Sequence, residues 1–353
     1  MPSRLLTALV LSLCATLAFA DPLRIATYNT ELQRDGPGLL LRDIVSGQDP
    51  QVQAVASVLA TVDPDIVSLQ SFDYDLNGTA LAAFTDVLRD KGLDYPYRFA
   101  ARPNTGIPTG LDMDGNGRRA EPRDAQSYGS FSGQGGMAIL SKYPILFEDV
   151  QDFTSMLWRD LPGALLPQVQ GFPFPSEEVQ EIQRLSTTGH WVVPIVVAGA
   201  GRVDLMTFHA SPPVFDGPED RNGRRNHDEI LFWRMLLDES FGTPPKGRFV
   251  LLGDFNQDPE RGEGIKTAIR GILSDARLQD VRPSRTSTTA WPSELLDTVD
   301  WDDPVPGNLR VDYVLPSADW RVEQSGVYWP DGPAGETAAT ASRHRIVWVD
   351  LTR

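Results

Sequence analysis

Residues 249–260, FVLLGDFNQDPE, decide how the rest of the chain is read. Four apolar residues, Phe249 to Leu252, have the length and composition of a buried strand. The strand runs into Gly253 and then into Asp254, Asn256 and Asp258. Residues two apart on an extended chain point to the same side, so Asp254 and Asn256 present a carboxylate and a carboxamide together. A carboxylate held by a neighbouring amide at a strand end suits a general base that takes a proton from water. The same letters also describe a strand followed by an Asx-rich turn. What stands at the other strand ends decides between the two.

The chain holds 353 residues, 41% hydrophobic and 23% charged, which is ordinary globular usage. Its first twenty residues have the form of an export signal: Arg4, an apolar run from Leu5 to Leu17, and Ala18-Phe19-Ala20 before Asp21. The apolar run is too short to span a bilayer comfortably. Cys14, the only cysteine, lies inside it, and Leu13 before it is too large for a lipoprotein signal. The expectation is a cysteine-free periplasmic or secreted protein with no stable membrane anchor, a single domain over 21–353, and a monomer. Counts of 32 basic and 48 acidic residues give a net charge of −16. Loss of Arg4 with the signal leaves 31 against 48, or −17. Such a field repels a polyanion unless cations or a local basic patch intervene, which weighs against tight non-specific DNA binding.

Working outward, Arg24–Tyr28 alternates as a first strand ending at Asn29-Thr30-Glu31. Helical spacing of Val52, Val55, Ala56 and Leu59 predicts a helix over 49–61. Ile66–Gln70 reads as a second strand, running out into Ser71, Asp73 and Asp75, and Leu81, Phe84 and Leu88 mark another helix. Strands are expected at 137–140, 191–197 and 203–208, the last ending at His209. Helices are expected at 230–237 and around Ile265–Ile272, then strands at 310–315, carrying Asp312, and from His344 through HRIVWVDL. Residues 101–136, 151–189 and 280–308 read as irregular. Interleaved helices and strands with hairpin-length gaps predict one α/β domain with mixed sheets.

Together the strand ends collect Asn29, Glu31, Asp73, Asp75, His209, Asp254, Asn256, Asp312 and His344. The pieces ATYNTE, DPDIVSLQ, GGMAILSKYPI, DLMTFHASP, VLLGDFNQDP, RVDYVLPS and SRHRIVWVDL, in this order, resemble the endonuclease/exonuclease/phosphatase superfamily. That superfamily includes deoxyribonuclease I, exonuclease III-type nucleases, neutral sphingomyelinases and inositol polyphosphate 5-phosphatases. The resemblance implies a four-layer α/β/β/α sandwich of two mixed sheets flanked by helices. It also implies a divalent-metal-dependent phosphoesterase, using Mg²⁺ or Mn²⁺, that acts on phosphodiesters, with nucleic acid as one candidate substrate. Asp254 would activate water and Asn256 would orient it. His344 would contact the phosphate as an imidazolium held by Asp312, His209 would protonate the leaving group, and Asn29 and Glu31 would hold phosphate and metal.

Two positions depart from the pattern. Where the family has a glutamate after Leu-Gln, this chain has Ser71, and where an aspartate precedes the last histidine it has Arg343. A hydroxyl is a poor ligand for a hard cation, so Asp73 or Asp75 would have to reach the metal. Arg343 would bind phosphate directly. The alternatives are a phosphomonoesterase acting on a small or lipid-linked phosphate, or a binding module without activity. Separately, Asp112, Asp114 and Asn116, followed by Gly117, open like a calcium loop, but position twelve is Arg123. This predicts a structural Ca²⁺ site of another kind, or a solvated turn. Arg221, Arg224 and Arg225 form a basic island that could receive a phosphorylated substrate, or a solvated helix start with His227 at the surface.

Overall fold

The structure, a computed structural model, describes residues 22–286 and 294–353. Residues 1–20, which have the form of an export signal, lie outside them. So does Trp291, which the sequence offers together with Trp301, Trp320 and Trp329 as a ring to stack on a base or a lipid head. The elements in chain order are β1 (Leu23–Asn29), α1 (Leu39–Ser46), α2 (Pro50–Val62), β2 (Ile66–Phe72), α3 (Thr79–Asp90), β3 (Tyr97–Phe99) and β4 (Gly136–Ser141). Next come β5 (Gln151–Asp152), β6 (Gln168–Val169), β7 (Phe172–Pro173), α4 (Glu177–Ile182), β8 (His190–Val197), β9 (Gly201–His209), α5 (Arg221–Leu237) and β10 (Phe249–Asp254). The chain closes with α6 (Thr267–Leu273), β11 (Asp312–Pro316), β12 (Arg321–Val327), α7 (Pro333–Ala341) and β13 (Val347–Thr352). No helix of the described residues is long and apolar enough to cross a membrane.

Two mixed sheets result, ordered β12-β13-β1-β2-β4-β3 and β11-β10-β9-β8-β5. Strand alternation sorts their side chains into three layers. On the first sheet, Ala26, Tyr28, Val67, Leu69, Ala138 and Leu140 face outward and pack with α1, α2, α3 and α7. On the second, Met206, Phe208, Leu251, Tyr313 and Leu315 face α5 and α6. The opposite faces meet: Ile25, Ile66, Met137, Ile139 and Val349 pack against Val193, Leu205, Val250, Leu252 and Val314. These are the helix, sheet, sheet and helix layers that the resemblance implied.

The inter-sheet layer changes character along the strands. Past Ile25, Ile66, Leu205 and Leu252 the same inward-facing positions become Thr27, Ser68, Gln70 and Thr207, all fully buried. They satisfy one another: Thr27 Oγ1 donates to Gln70 Oε1 (3.1 Å), Gln70 Nε2 donates to Ser68 Oγ (3.0 Å), and Ser68 Oγ meets Thr207 Oγ1 across the sheets at 2.7 Å. One further step along the strands brings Asn29, His209, Asp254 and Asp312 onto that face. The functional residues therefore end a buried face that grades from apolar through hydroxyl and amide to ionisable.

Several expectations change. The region 151–189 contains the β6–β7 hairpin and α4, and α1, β12 and α7 had no predicted counterpart. The last strand begins at Val347, not at His344, because residues 344 and 345 bridge instead to the 298–299 segment, with Arg345 N donating to Thr298 O at 2.7 Å. Helix α5 starts nine residues before Ile230, and its first half buries polar groups. Arg225 is buried and donates to the carbonyls of Leu185 (2.8 Å), Arg184 (3.0 Å), Ser186 (2.9 Å) and Gln126 (3.1 Å), so it straps loops together and does not receive phosphate. His227 is buried too, not a surface residue; its ring lies 2.8 Å from Asp228 Oδ1 and 3.0 Å from Thr267 Oγ1.

Candidate active site

Register brings the site together. Asp254, at the end of β10, pairs with His209 of parallel β9 on one side and Asp312 of antiparallel β11 on the other. Directly paired residues project to the same face, so the three side chains stand in a row. The chain reaches Asp254 through Gly253, whose φ of 147° and close approach to the Phe208 carbonyl leave no room for a Cβ. From the facing sheet Asn29, at the end of β1, donates through Nδ2 to Asp254 Oδ2 at 2.9 Å. His344, from the segment between α7 and β13, closes the row.

The contacts assign distinct states to these groups. His344 Nδ1 lies 2.9 Å from Asp312 Oδ2, and its Nε2 lies 3.9 Å from Asp254 Oδ2. Burial alone would lower the His344 pKa, but Asp312 and Asp254 more than offset it and raise it to about 9. His344 is therefore an imidazolium at neutral pH. His209 Nε2 is 3.3 Å from Asp254 Oδ2. Burial outweighs Asp254 at this ring, His344 adds repulsion, and the His209 pKa falls below its ordinary value. Two histidines on one carboxylate thus hold opposite charge states. Burial and the neighbouring Asp312 raise the Asp254 pKa, opposed by both histidines and by Asn29, which moves the base toward the pH at which it works.

Each of the remaining site expectations can be placed. Asn256 was expected to orient water. Its backbone N–H donates to Asp254 Oδ1 (2.8 Å), while its Nδ2 donates to Ala210 O (2.9 Å) and leans on Asp254 Oδ2 (3.4 Å). It positions the base and ties β9 to β10. Asn29 likewise holds Asp254, and its Oδ1 accepts from Glu31 N at 3.2 Å. Asp73 was expected on a metal, yet its oxygens accept the Arg34 N–H (2.9 Å) and Gly135 N–H (2.8 Å), stitching two loops to β2. Asp75 caps α3, accepting from Thr79 N and Ala80 N, both at 2.8 Å. Glu31, expected on the metal, is forked by the Arg343 guanidinium. Thr298, which sequence reading missed, donates from Oγ1 to Asp312 Oδ2 (2.8 Å) and accepts from the N–H groups of Val311 and Asp312, both at 3.0 Å. It lies in a stretch without periodicity and carried no readable signal.

Among the described residues two groups of three are close enough to share an ion: Asp254 with Asp312 and His344, and Asp112 with Asp114 and Asp124. In the second group Asp112 accepts backbone N–H bonds from Gly115 (2.8 Å), Asn116 (3.2 Å) and Gly117 (2.7 Å). Asn116 donates to Asp114 and Glu121, and Arg123 stands 3.9 Å from Asp114. Asp124 is the third carboxylate of that group, beside Asn116. At the mouth of the main site Trp301 stands edge-on to His344, ring centres 5.8 Å apart. The other described tryptophans named as stacking candidates are engaged: Arg248 covers Trp320, and Arg285 and Arg345 cover Trp329.

Comparison with known proteins agrees with this architecture. Among curated proteins the chain has no match. Among solved structures it is similar to an endonuclease/exonuclease/phosphatase from Beutenbergia cavernae, with 19% identity over 94% of this chain and 72% of that one, TM-score 0.56. A family protein from Leptotrichia buccalis gives 16% identity over 94% and 100% of the two chains, TM-score 0.53. A mannosyl-6-phosphatase from Bacteroides thetaiotaomicron gives 15% over 94% and 100%, TM-score 0.50. At these identities the likeness is one of fold. The family model for the endonuclease/exonuclease/phosphatase family matches residues 26–344, from β1 to the histidine that closes the row, and the chain therefore belongs to that family of phosphate-ester hydrolases.

Proposed function

We propose that the protein hydrolyses phosphodiesters, with Asp254 as the base that activates water. The observation that carries this reading is the row His209–Asp254–Asp312–His344, which sets a carboxylate between a neutral and a charged imidazole. The His344 imidazolium stabilises negative charge that develops on the phosphoryl oxygens. Water gives its proton to Asp254 as its oxygen bonds to phosphorus. The bond from phosphorus to the leaving oxygen then breaks. That oxygen takes its proton from His209, which recovers one from Asp254 across their 3.3 Å contact. A neutral His209 can act as a two-ended relay, taking the proton from Asp254 on Nε2 as Nδ1, otherwise unpartnered among the described residues, gives its own to the leaving oxygen.

A phosphomonoesterase acting on a small or lipid-linked phosphate is the second reading. It is favoured by the net charge of −16 and by the acidic segment Asp300, Asp302 and Asp303 flanking Trp301, which disfavour a polyanion. We further propose export to the periplasm or beyond, on the strength of residues 1–20. Hydrolysis of bis-p-nitrophenyl phosphate, p-nitrophenyl phosphate and a DNA duplex under one set of conditions distinguishes the readings. Turnover of the diester above the monoester is expected. Turnover of the monoester alone would replace the first reading with the second.

A further inference from the structure

Members of this family generally use divalent metals, and the donor set of this chain can be tested against that. A hard cation takes about six oxygen ligands, supplied by carboxylates, carbonyls and water. Glu31 offers none freely. Its Oε1 accepts from Arg343 Nε at 2.8 Å and also from Nη2, and its Oε2 accepts from the Arg343 backbone N–H (2.8 Å) and Ser342 Oγ (3.2 Å). Ser71 supplies only a hydroxyl, buried in the irregular end of β2. Asp73 and Asp75 are taken by backbone N–H groups. Asp312 meets His344 through Nδ1, on the opposite side of the ring from the Nε2 that faces Asp254. These two lie close enough to Asp254 to share an ion, but Asp312 Oδ2 is already taken by His344 Nδ1 and Thr298 Oγ1, and an imidazole is not an oxygen ligand. What remains is Asp254 and the single unpartnered oxygen Asp312 Oδ1, which does not make a hard-cation site. The residues present do not fit the metal.

A positive charge lies beside the row nonetheless, because Glu31, whose charge also acts on His344, binds Arg343. Arg343 is adjacent to His344, its side chain is 64% exposed, and Glu31 fixes one edge of its guanidinium. Two of the five guanidinium N–H groups meet Glu31, and three are left for an anion. A guanidinium clamps two phosphoryl oxygens at once, where an ammonium acts as a point charge.

We propose that Arg343, braced by Glu31, is the cation of this site, and that the protein hydrolyses its substrate without a divalent ion. The activity half of the proposal rests on the phosphoesterase reading; the ion-binding half does not. The test titrates Mn²⁺ by calorimetry into the wild-type chain, Glu31→Gln, Arg343→Ala and the double variant. In parallel, bis-p-nitrophenyl phosphate hydrolysis is measured in EDTA and in Mg²⁺, with Arg343→Lys included. Wild type and Glu31→Gln are expected to give the same Mn²⁺ isotherm, whatever the Asp112 loop binds. Arg343→Ala, which frees Glu31, gains a Mn²⁺ site that the double variant lacks. Wild-type rates in EDTA and Mg²⁺ agree within twofold, and both Arg343 variants lose at least tenfold in EDTA. A wild-type Mn²⁺ site abolished by Glu31→Gln, or hydrolysis that EDTA stops and Mg²⁺ restores, would overturn the proposal. If no variant hydrolyses any ester, the phosphoesterase reading fails, and the isotherms still decide where the cation is.

Discussion

Replacing Asp312 by Asn tests the electrostatic logic of the site at one atom. The substitution keeps the shape and the 2.9 Å contact to His344 Nδ1 but removes the charge. In the native protein burial lowers the His344 pKa, and Asp312 leads the groups that carry it from 6.5 to about 9. That difference corresponds to about 3 kcal/mol in favour of the imidazolium. With Asp312 neutral, only Asp254, 3.9 Å away, and Glu31 still favour the charged ring, against its loss of solvent on burial. The expected His344 pKa is at or below its ordinary value, so at pH 7.5 most molecules lose the charge. The loss of one preorganised positive group costs about 10²-fold in kcat. NMR titration of the four histidines, with His344 assigned by a His344→Gln variant, reads the shift directly. Stability carries the same signature. Because the folded pKa is raised, His344 contributes fully below about pH 6.5, and that contribution is lost as pH rises through about 9. The stability gap between wild type and Asp312→Asn should therefore narrow across that window. A His344 that still titrates near 9 in the variant would refute the reasoning.

Three further outcomes follow from the same geometry. Thr298→Val removes the hydroxyl that fixes Asp312 and should lower kcat five- to tenfold, the rate equivalent of about 1 kcal/mol, with KM little changed in steady-state assays. The pH profile of kcat/KM should be a bell: its alkaline limb near 9 reports His344, and its acid limb, set by Asp254, lies above the ordinary carboxylate value of 3.8. Gly253→Ala sets a Cβ against the Phe208 carbonyl at a φ of 147° and should destabilise the fold by more than about 2 kcal/mol in chemical denaturation.

The strands were legible where their composition was. Phe249–Leu252, Trp191–Val197 and Arg24–Tyr28 are apolar or alternating and appear as β10, β8 and β1. Asp49–Thr61 was legible because helical spacing and a cap coincide: Asp49 accepts from Val52 N at 2.8 Å, and Pro50 opens the helix. The first half of α5 was not, because Arg225, Asn226, Asp228 and Glu229 are buried by hydrogen bonds to loops, and no apolar period marks them. Glu229 shows the pattern, accepting from Ser211 N at 2.7 Å and from Thr187 N. At the site, strand ends named the residues that meet, since register turns neighbouring ends into neighbouring side chains. What each oxygen does lay beyond the sequence. Asp73, Asp75 and Glu31 are carboxylates at strand ends like Asp254, and only the backbone N–H groups and the guanidinium beside them separate a loop staple, a helix cap and a counter-ion from a base. Arg343 could be read as a phosphate-binding departure from the pattern, but not its partner, which came from a turn more than three hundred residues earlier in the chain.

Asp254 carries the central claim, and Asp254→Asn tests it most directly. The variant keeps the size of the side chain while losing the proton acceptor. Hydrolysis of bis-p-nitrophenyl phosphate at pH 7.5 is measured for both proteins, beside a thermal melt that checks folding. The account predicts a folded variant whose kcat falls by about 10³ or more. A folded variant that keeps its rate within tenfold of wild type would contradict it.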